Sequence, residues 1–190
     1  HTNFKISSSS ETLSLTDASG TLVYQIIAEN LPPNTSIGTS ITSGEIVSYL
    51  ETTPGYENSN EEYLGSIQSE VVFSQPGGLF DVPLNLILSG NTSEEIIRYT
   101  IDGNNPTDTS PIYTSPIQIN ESITVRAQIF SENYLPSQVY TKSYILNNSS
   151  FTSSNLPIVI INTENGATIP DEPKILGTMK IIQRPDGDRN

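Results

Sequence analysis

The strongest constraint on this chain is a period of two. In Ile123-Thr-Val-Arg-Ala-Gln-Ile-Phe130 apolar and polar side chains take turns, and a similar alternation runs from Pro83 to Leu88. Successive side chains of a strand point to opposite faces, so this pattern builds a sheet with one buried face. Between the two runs lies Tyr99-Thr-Ile-Asp-Gly-Asn-Asn-Pro-Thr-Asp-Thr-Ser-Pro-Ile-Tyr113. Within it, Asp102-Gly103 and Asn105-Pro106 punctuate the chain as turns do. Residues 71–146 are therefore expected to form a small antiparallel β-sandwich.

The flanks follow the same grammar. Thr12-Leu-Ser-Leu-Thr16 alternates, Asp17-Ala-Ser-Gly20 reads as a turn, and Thr21 to Ile27 returns as a second strand. Leu31-Pro-Pro-Asn34 and Thr53-Pro-Gly-Tyr56 mark loops around a strand at Ile46-Val-Ser-Tyr-Leu50. The block 1–58 is short for an independent sandwich and is expected to be the rear part of a domain. Residues 59–70 read as a linker with room for one helical turn, and 147–155 as a polar linker. Beyond it, Leu156-Pro-Ile-Val-Ile-Ile-Asn162 has the compact apolar form of a fully buried strand. Ile169-Pro-Asp-Glu-Pro-Lys174 must be a loop, because each proline restricts the residue before it. Gly177-Thr-Met-Lys-Ile-Ile182 reads as another strand and Arg184-Pro-Asp-Gly-Asp-Arg189 as a turn.

Charge narrows the range of partners. The formal charge is −13, and up to Ile97 the only basic residue is Lys5, against twelve acids. Binding nucleic acid requires clustered Lys and Arg to neutralise phosphates, and no such cluster exists here. Anionic membrane surfaces are disfavoured for the same reason, and no apolar run approaches the ~18 residues of a membrane span. No basic-then-apolar leader opens the sequence, so any export signal is expected upstream or already removed. Cysteine is absent and the single histidine is His1. Disulfides, thiolate metal sites and a Ser-His-Asp arrangement thus lack their residues. No phosphate-cradling glycine motif occurs either.

Three constellations remain as candidates. Asp102 and Asp108 flank a Gly-Asn-Asn-Pro-Thr loop whose oxygens would suit Ca²⁺ in part. The competing reading makes Asp102, Asn104 and Asn105 turn formers that accept backbone N–H bonds. Tyr99 and Tyr113 stand on either side of that turn, as a sugar-stacking platform or as packed corner tyrosines. Tyr140 and Tyr144, with Lys142 between them, would share one face of the last strand of the sandwich and are candidates for a glycan or partner patch. Glu61-Glu62 and Glu94-Glu95 read as solvated loop acids, since a catalytic carboxylate pair must oppose across a cleft. Asn34, Asn91, Asn120, Asn147 and Asn148 open Asn-x-Ser/Thr triplets, which a chain this rich in Asn, Ser and Thr produces by chance.

Motif order supports three resemblances. Ser74-Gln-Pro-Gly-Gly-Leu-Phe80, Ile97-Arg-Tyr-Thr-Ile-Asp-Gly103, Pro106-Thr107, Ser110, Tyr113 and the run from Ile123 to Ala127 resemble the C-terminal domain of chitobiase and β-hexosaminidase. That family implies an immunoglobulin- or fibronectin-III-like sandwich appended to other modules and carrying no catalytic residues. His1-Thr-Asn-Phe-Lys-Ile-Ser, Glu11-Thr-Leu-Ser-Leu-Thr-Asp-Ala-Ser-Gly20, Ser36-Ile-Gly38 and Thr52-Thr-Pro-Gly-Tyr-Glu-Asn58 resemble the second half of a lamin tail domain. The acidic segment usual in that family's first half is not here, so this resemblance implies a chain that begins inside a domain. Leu156-Pro-Ile-Val-Ile-Ile-Asn-Thr163 with Ile169-Pro-Asp-Glu-Pro-Lys174 is similar to the opening of a CotH-type, spore-coat kinase-like domain. The sequence stops before that family's nucleotide and metal residues.

Together the resemblances imply an all-β fragment of tandem sandwiches, the first incomplete, followed by the opening strands of a third domain. They imply a secreted or surface-anchored bacterial protein of the Bacteroidota type, exported by the type IX route. The expected role is non-catalytic, without a cofactor: to space and present other domains, with those domains or surface proteins as partners. An extracellular glycan-binding module and the non-catalytic front of a CotH-type kinase are the alternatives.

Overall fold

A computed structural model describes residues 10–28, 32, 34–59, 61–147 and 156–182. The motif at residues 1–7, residues 31 and 33 of the loop at 31–34, the linker residues 148–155 and the turn at 184–189 lie outside the described residues. The described chain is all-β, with several small sheets and one short 3-10 turn at Glu164–Gly166. It divides into two compact units, 1–68 with 130–137, and 69–129 with 138–190.

In the first unit the strands β1 (Glu11–Thr16) and β2 (Leu22–Ala28) form the expected hairpin, pairing Leu13 with Ile26 and Leu15 with Tyr24. Asp17 shapes its turn. Its carboxylate accepts the backbone N–H groups of Ser19 and Thr21 at 2.9 Å each and the Ser19 hydroxyl at 2.6 Å. The strands β3 (Ser36–Thr39) and β4 (Ile46–Tyr49) make a second antiparallel pair. Val47, Tyr49, Ile67 and Leu135 form the buried apolar centre of this unit.

The stretch 59–70, expected as a linker, is in large part built into the fold. Ser48 and Tyr63 exchange backbone hydrogen bonds of 2.8 and 2.9 Å, and Ser66 bridges to Leu135. The N–H of Ile67 donates to Leu135 O at 3.0 Å, and that of Leu135 to Gly65 O at 2.8 Å. No helical turn occurs among the described residues of this stretch. The N–H groups of Leu64 and Ile67 are satisfied by Asn133 and Leu135, about seventy residues away, which local composition does not announce.

The second unit contains β5 (Val72–Phe73), β6 (Gly78–Phe80), β7 (Leu84–Leu86), β8 (Leu88–Ser89), β9 (Ile96–Thr100), β10 (Ile117–Ile119), β11 (Ile123–Phe130), β12 (Tyr140–Leu146), β13 (Ile158–Thr163) and β14 (Gly177–Ile182). Its largest sheet has the order β6-β12-β11-β9, in which β6 runs parallel to β12, and β5-β8, β7-β10 and β13-β14 are antiparallel pairs. The alternation in β11 works as read: Val125, Ala127 and Ile129 are fully buried. The Pro83–Leu88 run is two strands. Ile87 is exposed between buried Leu86 and Leu88, and bonds to Ser74 through both its N–H and its carbonyl, so the chain passes there from the β7-β10 pair to the β5-β8 pair.

Gly77 explains part of the Ser-Gln-Pro-Gly-Gly motif. It has a φ of 69°, and a Cβ on it would stand 2.8 Å from Ser143 O. Only glycine lets the chain pass so close to β12 before β6 pairs with it.

The expectation of a fully buried strand at Leu156–Asn162 is corrected. In the β13–β14 hairpin one face carries Ile160 and Asn162, and the other leaves Val159 and Ile161 at 52% and 57% exposure opposite exposed Ile181 and Met179. The apolar run reflects a two-stranded hairpin covered on one side, since two strands alone cannot bury both of their faces.

Candidate functional site

The loop holding the two candidate calcium ligands is closed on itself. The Asp102 carboxylate accepts the N–H of Asn104 at 3.0 Å and its side-chain amide at 2.8 Å. The Asn104 N–H is the main reason the Asp102 carboxyl lies below its ordinary range. Asn105 is turned elsewhere: its N–H donates to Asn165 Oδ1 at 3.1 Å and its Oδ1 accepts from Arg126 at 2.6 Å. Asp108 is exposed in the neighbouring turn, which Thr107 and Ser110 close. Among the described residues no three His, Cys, Asp or Glu side chains gather closely enough to hold a metal ion.

Tyr99 and Tyr113 do meet. Their centroids are 6.4 Å apart and their planes cross at 78°, an edge-to-face contact of half-buried rings. The backbone sets this up, because Tyr99 N–H donates to Pro111 O and Tyr113 N–H to Ile97 O. The geometry presents one edge and one face, not two coplanar rings.

Tyr140 and Tyr144 do not form one patch. Tyr140 and Lys142 are half-buried, whereas Tyr144 is fully buried, its ring 5.8 Å from that of Phe80. Its hydroxyl donates to Gln75 O at 3.0 Å, and burial pushes its pKa well above the ordinary tyrosine value. A ligand has no access to that ring, so alternation along β12 overstates the patch.

Two arrangements in the folded chain were not read from the sequence. The first is a polar seam in the second unit. Thr124 bonds to the Ser143 hydroxyl at 2.9 Å and donates to Asn162 Oδ1 at 3.1 Å, while Asn162 Nδ2 donates to Ser143 Oγ at 2.9 Å. Beside it the buried Arg126 guanidinium donates to Asn105 Oδ1 and to Thr163 O. Arg126 reads as the solvent-facing member of an alternating strand. The β13 strand covers that face and binds its donors instead.

The second is a groove of about 390 Å³ in the first unit. It is lined by residues 25–27 of β2, Ile37 of β3, residues 46–48 of β4 and residues 64–66. At the end of β4, the Tyr49 hydroxyl donates to Thr39 O at 3.2 Å, and burial, followed by the nearby Glu62 charge, raises its pKa. The Ser40 hydroxyl donates to Glu62 at 2.8 Å and accepts the N–H groups of Thr42 and Ser43, fixing the β3–β4 turn. No local motif marks the groove, since four separate stretches assemble it.

The second unit is thus all-β, built of small sheets with its tyrosines packed or half-buried. Residues 75–141, about a third of the chain, match the model of the chitobiase/beta-hexosaminidase C-terminal domain, a non-catalytic accessory module. This agrees with the resemblance read from the Ser-Gln-Pro-Gly-Gly and Tyr-Thr-Ile-Asp-Gly motifs. No curated protein and no solved structure matches the chain.

Proposed function

We propose that this chain is a spacer and presenter within a larger extracellular or cell-surface protein, holding other modules at set positions. The observation that carries this reading is the match of residues 75–141 to an accessory domain that performs no chemistry. In the same reading, residues 71–146 are an immunoglobulin- or fibronectin-III-like sandwich. Residues 1–58 are the rear part of a lamin-tail-like domain, and residues 156–190 open a CotH-like one. Export by the type IX route accompanies it. The many short, fixed turns support the role, because rigid loops on a β scaffold position what they carry.

The test is retention on insoluble chitin and on peptidoglycan. A spacer passes through both. Retention that is lost in Tyr99→Ala or Tyr113→Ala would overturn the proposal in favour of a glycan-binding module. Adhesion is checked separately, by the binding of the purified chain to whole cells.

A further inference from the structure

The pairing of β6 with β12 has the geometry of a joint that resists being pulled. The two strands run parallel, with Gly78 opposite Tyr144, Leu79 opposite Ile145 and Phe80 opposite Leu146. The chain enters β6 at Gly78 and leaves β12 at Leu146, so these two points lie at opposite ends of one short ladder. Tension along the chain therefore drives the strands past each other. Ladder hydrogen bonds run across the strands, so such a pull strains all the rungs together. In an antiparallel hairpin the corresponding points lie at one end, and the same tension opens the rungs one at a time. The β13–β14 hairpin is of that kind: Ile158 and Ile182, where the chain enters and leaves it, pair with each other.

Further contacts fasten this ladder at both ends. Beyond its last rung the Asn147 N–H donates to Phe80 O at 2.7 Å, and the Asn147 side-chain amide donates to Asp81 Oδ1 at 3.1 Å. Before its first rung Gln75 O accepts the Tyr144 hydroxyl at 3.0 Å, and Pro76 O accepts the Lys180 ammonium at 3.1 Å. The β12 strand is itself anchored, by five residue pairs with β11 and by the Leu146 N–H, which donates to Ser122 Oγ at 3.0 Å. Under load β6, at the edge of the sheet, is thus the strand that slips. We propose that the β6–β12 pair is a load-bearing clamp, which keeps the second unit closed when tension passes along the chain. Resistance to force is set by the rate of unfolding rather than by equilibrium stability, so a short ladder can govern it. The inference rests on the spacing role, because tension reaches the clamp only in a chain joined in series to other modules.

The experiment stretches the whole chain in optical tweezers by two introduced cysteines, since none is native. Pro76→Cys with Pro157→Cys loads the clamp along its strands. Val82→Cys with Pro157→Cys pulls from the end that β6 and β12 share, and peels the same rungs apart. All three positions are exposed, so the fold survives, as unchanged circular dichroism spectra would verify. Residues after 157, the β13–β14 hairpin included, lie outside the loaded path in both cases. At one pulling speed, sharing the load over three rungs should make the first rupture force about two- to threefold higher in the first geometry. In that geometry Asp81→Ala removes the bond from Asn147 and should shorten the lifetime at constant force several-fold. Equal forces in the two geometries, a higher force in the second, or a lifetime unchanged by Asp81→Ala would each overturn the clamp. Retention on chitin through Tyr99 or Tyr113 would instead overturn the spacer and leave the directional difference in force standing.

Discussion

Replacing Tyr144 by Phe removes one oxygen from the interior of the second unit and leaves the ring that packs on Phe80. The hydroxyl donates to Gln75 O at 3.0 Å from a fully buried side chain. Losing that bond and stranding the carbonyl should cost about 1–2 kcal/mol at neutral pH. With a urea slope of about 1–3 kcal/mol per molar, the unfolding midpoint drops by roughly 0.5–1 M. The pH dependence is the sharper test. Burial holds the phenol's pKa in the fold above its ordinary value near 10, so the folded chain keeps its proton where the unfolded chain loses it. This stabilisation is complete below about pH 10 and is lost above it, at about 1.4 kcal/mol per unit, until the folded value is reached. Tyr144→Phe lacks that term. The wild-type advantage at pH 7 should therefore shrink above pH 10 and vanish near pH 11. Tyr49, whose pKa burial also raises, contributes equally to both chains and cancels in the difference. Urea melts of both proteins across that range would decide the matter. Midpoints that stay parallel up to pH 11 would refute the buried hydroxyl.

Three further outcomes are expected. Leu135→Ala empties a fully buried site and should destabilise the first unit by about 2–5 kcal/mol, read as faster hydrogen exchange at the amides of Leu135 and Ile67. Asp17 has its carboxyl held below the ordinary range, first by the Ser19 hydroxyl and then by the Thr21 amide, so the support it gives the β1–β2 turn is present above about pH 4 and fades as pH falls. An NMR titration of its carboxyl should show the lowered midpoint, and a midpoint at the ordinary value would contradict the turn. Arg126→Lys keeps the charge but not the fork that reaches Asn105 and Thr163 together, and should cost about 1–3 kcal/mol with loss of exchange protection in β13.

Local chemistry made some elements legible and long-range pairing hid others. The β1–β2 hairpin was readable because Leu13 and Leu15 alternate with polar residues and Asp17 and Gly20 suit the turn between the strands. The buried trio Val125, Ala127 and Ile129 was readable for the same reason. Ile87 was not, because a strand that moves from one sheet to another keeps its alternation while its neighbours change. Arg126 lies on the polar side of β11, and period two predicts which residues share a face, never whether a later strand covers it. Residues 63–67 looked like a linker because their partners, Ser48 for Tyr63 and Asn133 and Leu135 for the rest, lie far away in sequence. Among the candidate site residues, Tyr99 and Tyr113 stand on either side of the turn in the sequence, but the angle between their rings depends on side-chain packing that spacing does not encode. The groove was invisible because four separate stretches assemble it.

Leu135 gives the map of this chain a practical twist. It sits in sequence inside the 75–141 family match, yet it fills the interior of the other unit. Genetic shuffling that lifted the recognised segment out as a cassette would carry away a piece of its neighbour's heart, and the donor left behind would lack the partner of Gly65 and Ile67. The hydrogen bonds at Leu135 thus make the first unit depend on residues that the family match assigns to the second.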